Sequence, residues 1–175
     1  RISVPRESIN FAKRFKLRGL RICVMLAGSA SRSNYPDISS WENIFKAINN
    51  TFSDAQIFLT GVRKSISGRT ATGAYTEKEI LFLKGSFPNV HDCYDIGLWN
   101  QLALIKQCDV FLSPHTGFAF LAPCVGTPWL ALSGGDWPEY LFNRVPFYSV
   151  LPKVKGYPYL GNPPTLRRGE KLPEM

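Results

Sequence analysis

The chain has 175 residues, 45% of them apolar, and a formal net charge of +8. This size and apolar content fit one domain with a sizeable core and exclude a disordered chain. No run of about 18 apolar residues occurs, so no membrane-spanning helix is expected, and no secretory signal peptide is visible.

Arg1 stands where an initiating Met would be, so a piece of a larger protein, or a processed one, is expected. Residues 6–17 read as a helix, with Ile9, Ala12 and Phe15 on one face. Residues 21–26 read as a buried strand. A small-residue loop through Gly28, Ser29 and Arg32 follows. Ser39-Ser40-Trp41-Glu42 fits a capping box that opens a helix to about Asn49. Residues 56–60 form a second strand, ended by Gly61, and 63–75 read as a loop. Thr76-Glu77-Lys78-Glu79 is a second capping box, opening a helix over 80–84.

Residues 89–93 give a third strand. Residues 97–107 give a helix with Leu98, Leu102 and Ile105 inward. Residues 110–113 form a fourth strand. Phe118, Leu121, Ala122 and Val125 then recur at helical spacing, with Pro123 expected to distort the last turns. Residues 129–133 form a fifth strand, and 140–150 hold a short helix and a strand. Strands alternating with helices predict an α/β, Rossmann-like parallel sheet with helices on both faces. The expected organisation is a linker or helix over 1–20, the α/β domain over 21–150 and an extended tail over 151–175.

Basic residues are spread out apart from a loose cluster at Arg6, Lys13, Arg14, Lys16, Arg18 and Arg21. A solvated basic face accounts for the cluster. Its functional readings are attraction to an anionic cosubstrate or contact with an anionic membrane surface. No aromatic-and-basic nucleic-acid motif is present, so no nucleic-acid partner is expected. Cys23, Cys93, Cys108 and Cys124 form no CxxC pair and read as reduced, buried thiols of a cytoplasmic protein. Neither the Cys and His spacing nor an Asp-x-Asp pair provides a metal site. Asn49-Asn50-Thr51 matches a glycosylation acceptor, irrelevant in that compartment.

In such sheets ligands bind beyond the carboxyl ends of the strands, where three constellations fall. His115-Thr116-Gly117-Phe118 follows the fourth strand. Thr116 reads as an N-cap, and Gly117 lets an anion approach the helix start. His115 can donate to a phosphate oxygen, although a plain cap with a surface histidine is the simpler reading of that residue alone. Gly28, Ser29 and Arg32 follow the first strand without a dinucleotide fingerprint or a P-loop. They can hold a diphosphate or simply connect strand to helix. Gly134-Gly135-Asp136 follows the fifth strand and can meet a sugar or ribose hydroxyl through Asp136. Asp92 and Asp95 are weaker candidates that structural capping explains.

The run from Asp95 to Pro138 resembles the C-terminal domain of heptosyltransferase-type GT-B glycosyltransferases. The resemblance is carried in order by Leu102-Ala103-Leu104-Ile105-Lys106-Gln107-Cys108-Asp109, His115-Thr116-Gly117, Gly126-Thr127-Pro128 and Gly134-Gly135-Asp136. Upstream it is carried by Leu26-Ala27-Gly28-Ser29-Ala30, Tyr35-Pro36 and Phe58-Leu59-Thr60-Gly61. His115 stands where that family has a donor-contacting Asp, and Arg32 is the nearest match to its basic residue before Trp-Pro.

The resemblance implies the donor-binding half of an inverting, metal-independent glycosyltransferase that needs no cofactor beyond a nucleotide-sugar cosubstrate. The partners it implies are the nucleotide-sugar donor, a carbohydrate or lipid-linked acceptor, and an N-terminal GT-B domain that supplies the catalytic base. The cysteine and charge readings give a cytoplasmic or membrane-peripheral location as the expectation. A nucleotide-sugar epimerase of the same architecture and a non-catalytic binding domain of this fold are the alternatives.

Overall fold

The computed structural model describes residues 2–15, 18–29, 32, 35–63, 72–132 and 147–150. Helix α1 (Arg6–Ala12) leads into β1 (Arg21–Val24), α2 (Ile38–Thr51), β2 (Gln56–Gly61), α3 (Glu77–Ser86) and β3 (Val90–Tyr94). Then come α4 (Leu98–Gln107), β4 (Val110–Pro114), a 3₁₀ turn (Phe118–Phe120), α5 (Leu121–Val125), β5 (Trp129–Leu132) and β6 (Phe147–Val150). The expected alternation of strand and helix is therefore present, and β6 is the strand anticipated within 140–150.

The strands form one sheet in the order β3-β2-β1-β4-β5-β6. Every neighbouring pair is parallel. β1 sits between β2 and β4, with Cys23 level with Phe58 on one side and Phe111 on the other. Alternate strand residues face opposite layers. Cys23, Met25, Phe58, Phe111, Trp129 and Ala131 pack with Ala12 of α1, with Leu102 to Ile105 of α4, and with Ala122 and Val125 of α5. Ile22, Val24, Leu26, Ile57, Leu59 and Leu112 pack with Trp41 and Phe45 of α2 and with Ile80 and Leu83 of α3. The chain leaves β1 towards β3 by helices on one face. It returns through α4 and α5 on the other, as parallel crossovers of one hand require. The strand order thus reverses between β1 and β4, the switch point at which doubly wound folds bind ligands.

Local details differ from the sequence expectation for identifiable reasons. The N-cap of α2 is Asp37, not Ser39: its carboxylate accepts the Ser40 N–H at 2.7 Å and the Ser39 hydroxyl at 2.8 Å. Glu42 therefore pairs with Lys46 one turn on rather than closing a capping box. Leu98 is 41% exposed rather than inward, since α4 has only just begun there and its buried stretch starts at Gln101. The stripe from Phe118 to Val125 divides into a 3₁₀ turn and α5. That division puts Pro123 in the first turn of α5, where its missing N–H costs nothing. Helix α1 stops at Ala12, short of the 6–17 span.

Candidate functional site

The loop after β1 meets the turn after β4 across the switch point. A Cβ placed on Gly28 would lie 3.0 Å from Thr116 Cγ2 and 2.7 Å from Tyr35 Oη. Glycine is therefore what lets the two segments approach this closely. Thr116 is fixed from two sides. Its hydroxyl accepts the Ala119 N–H at 3.2 Å and points its proton at Met25 Sδ, 3.6 Å away.

Thr116 thus does the capping work expected of it, for a 3₁₀ turn rather than a regular helix. Gly117 is exposed, in right-handed helical geometry, with open space where a side chain would stand. Phe118 tilts against Phe111 in the core at 6.2 Å between ring centroids. His115 is half-buried and sits edge-on to Trp129, with ring centroids 5.6 Å apart. The imidazole therefore has a fixed position beside the turn.

Ser29 is exposed on the opposite loop. Arg32, further along it, forms a fork with Glu79 and lies over the Tyr75 ring at 5.5 Å. Glu79 serves two partners. It closes the α3 capping box, accepting the Thr76 N–H at 2.8 Å, and it pairs with Arg32. Hydrogen bonding from Arg32, then from the Thr76 backbone, pulls its carboxyl down to about 2. Tyr75 carries the other end of this layer. Its hydroxyl accepts from Trp41 Nε1 at 3.0 Å and donates to the Pro36 carbonyl. Burial pushes that hydroxyl up to about 12.

A second polar group lies at the carboxyl ends of β2 and β3. Arg63 bridges Asp92 and Asp95, and Lys84 reaches Asp92 at 3.2 Å. Burial alone would raise the Asp92 carboxyl, but bonds from the Tyr94 N–H, Arg63 and Lys84 hold it below its usual range. Asp95 takes a positive φ of 59° and accepts the Arg63 N–H at 2.9 Å. Both aspartates are thus committed to ion pairs and a tight turn. Arg21 from the basic cluster is likewise clamped to Asp109, where β4 begins.

The structure therefore brings together the Gly28 loop and the His115 to Phe118 turn. Gly134 and Asp136 lie outside the described residues, as does most of the 63–75 loop. Nothing in the sequence marks Tyr35, Tyr75 or Glu79 as site residues. Tyr35 and Glu79 were visible only as part of Tyr35-Pro36 and as a capping residue, and neither motif states what the side chain reaches. Among the described residues, no group of three or more His, Cys, Asp and Glu could hold a metal ion. Cys23, Cys93 and Cys108 are buried free thiols, and Cys124 is exposed. No described helix is long and apolar enough to cross a membrane.

No protein-family model matches the chain, and no curated protein matches it. Solved structures match it in shape. The ADP-heptose LPS heptosyltransferase II of E. coli superposes with a TM-score of 0.60 at 13% identity, covering 79% of this chain and 40% of that one. The UDP-GlcNAc 2-epimerase from Neisseria meningitidis, bound to UDP-GlcNAc, gives 0.52 at 17% identity, covering 78% and 33%. The iron-containing dodecameric glycosyltransferase TibC from enterotoxigenic E. coli gives 0.50 at 13%, covering 79% and 30%. The chain thus spans less than half the length of each. At these identities the likeness is one of fold: a Rossmann-like half-domain of the kind found in GT-B glycosyltransferases.

Proposed function

We propose that this chain is the nucleotide-sugar-binding half of a GT-B glycosyltransferase. The diphosphate would lie at the switch point between the Gly28 loop and the His115 to Phe118 turn. The observation that carries the reading is the contact of Gly28 with Thr116. It brings a small-residue loop beside the start of a 3₁₀ turn at the switch point, where backbone N–H groups can meet an anion. Backbone N–H groups of the turn, with His115, would stabilise the departing diphosphate as charge develops on it. Arg32 would contribute a charge-assisted bond. Gly134 and Asp136 would meet the sugar or ribose. The transfer would proceed without a metal, with the base supplied by an N-terminal domain and a carbohydrate or lipid-linked hydroxyl as acceptor.

A nucleotide-sugar epimerase is the second reading, favoured by the shape match to the UDP-GlcNAc 2-epimerase. Calorimetric titration with UDP, GDP, ADP and dTDP, with and without magnesium, tests the binding claim and ranks the bases. Product analysis with the ranked nucleotide-sugar then separates the two chemistries. A new glycosidic linkage identifies the transferase, and an altered free sugar identifies the epimerase.

A further inference from the structure

Arg32 does not stand open to the crevice. Its guanidinium forks onto Glu79, at the start of α3, and is 49% exposed in that pose. Glu79 does not need the arginine to cap its helix. Its Oε2 already accepts the Thr76 N–H and hydroxyl, each at 2.8 Å, so the pairing with Arg32, through Oε1 and by a longer 3.2 Å bond to Oε2, is an additional function of the same carboxylate.

The Arg32 guanidinium also has a fixed platform. The guanidinium rests on the Tyr75 ring, which Trp41 and the Pro36 carbonyl hold in place. The Arg32 carbonyl accepts the Tyr35 N–H at 3.1 Å, and the Tyr35 hydroxyl borders Gly28 at the crevice.

We propose that Glu79 holds Arg32 in a parked position beside the crevice, and that a bound diphosphate draws the guanidinium away from it. Glu79 is thus a positioning residue that competes with the ligand for one cation. The inference rests on the reading that the crevice takes a nucleoside diphosphate. An exposed ion pair of this kind is weak, whereas a guanidinium bound in a fork to phosphate oxygens is among the stronger charge-assisted contacts. The exchange therefore favours the ligand. It still subtracts the strength of the Arg32–Glu79 pair from the affinity observed.

The test is titration of the full chain with inorganic pyrophosphate and with UDP, in the wild type and in Glu79→Gln, Arg32→Ala and the double variant. Gln at this position preserves a capping box, and thermal melting verifies that the fold persists. Glu79→Gln is expected to bind about two- to five-fold more tightly, the range an exposed ion pair represents. Arg32→Ala is expected to bind more weakly, and the double variant to match Arg32→Ala. In the wild type, the Arg32 Nε–H resonance, assigned by its absence in Arg32→Ala, should shift on adding pyrophosphate.

Unchanged affinity in Glu79→Gln, or a gain that survives removal of Arg32, would overturn the parked arm and leave the diphosphate site standing. Absence of binding by the wild type and every variant would overturn both.

Discussion

Gly28 and Thr116 meet where the loops after β1 and β4 approach each other, and a Cβ added to Gly28 would stand only 3.0 Å from Thr116 Cγ2. Thr116 cannot withdraw, because its hydroxyl is tied to the Ala119 N–H and faces Met25 Sδ. Gly28→Ala should therefore force the β1 loop outward rather than move the β4 turn. The expected cost is about 1–3 kcal/mol, the range for overpacking a tight site. Urea unfolding of the variant measures it. Adding Tyr35→Phe should recover part of the loss, since the Tyr35 hydroxyl is the closer of the two obstacles. Equal stability of Gly28→Ala and wild type would show that the approach is loose.

The Tyr75 hydroxyl joins α2 to the segment leading out of the crevice loop. It accepts from Trp41 Nε1 at 3.0 Å and donates to the Pro36 carbonyl. Trp41 is fully buried, so Tyr75→Phe leaves its indole N–H without this acceptor. The expected cost is about 1–3 kcal/mol, read from the shift of the urea midpoint at unchanged slope.

Acid should weaken the fold through Glu79. Its carboxyl lies at about 2 in the folded chain against 4.5 for the ordinary side chain. A depressed folded value means that the stability is fully present above pH 4.5 and is lost as pH falls towards 2. Asp37, held down by hydrogen bonds from the Ser40 N–H and the Ser40 and Ser39 hydroxyls, acts in the same direction. Thermal melting from pH 7 to pH 2 should show a steeper fall below pH 4.5 for wild type than for Glu79→Gln, which cannot titrate there. Parallel curves for the two proteins would remove Glu79 from the acid response.

How much of this was legible in the sequence depends on the range of the interaction. The Thr76 and Glu79 capping box and the fourth strand depend on neighbours within a few residues; the box appears as read, and the strand read over 110–113 runs one residue further, to Pro114. The N-cap of α2 is Asp37 rather than Ser39, because both are good caps two residues apart and the sequence alone does not choose between them. Leu98 fits the helical stripe of α4 yet is exposed, since periodicity cannot say how far the sheet below extends. The meeting of Gly28 with Thr116 follows from the strand order, which the alternation of elements implies only in outline. The Arg32–Glu79 pair spans 47 positions, and no local pattern announces it.

His115 stands edge-on to Trp129 beside the turn, and the proposed function assigns it a hydrogen bond to the diphosphate. His115→Ala should weaken pyrophosphate binding by about 1–2 kcal/mol, the range for a hydrogen bond to a charged group. Calorimetry measures that loss, and a parallel urea curve separates it from lost packing on Trp129. Unchanged affinity would leave the backbone of the turn as the anion site by itself.

The most direct measurement is the calorimetric comparison of a nucleoside diphosphate with its parent nucleoside, on the full chain in one buffer. A diphosphate held at the crevice between β1 and β4 predicts at least about ten-fold tighter binding of the diphosphate, equivalent to about 1.4 kcal/mol. The advantage should shrink as salt is raised. Equal affinity for nucleoside and diphosphate would contradict a phosphate site between Gly28 and Thr116.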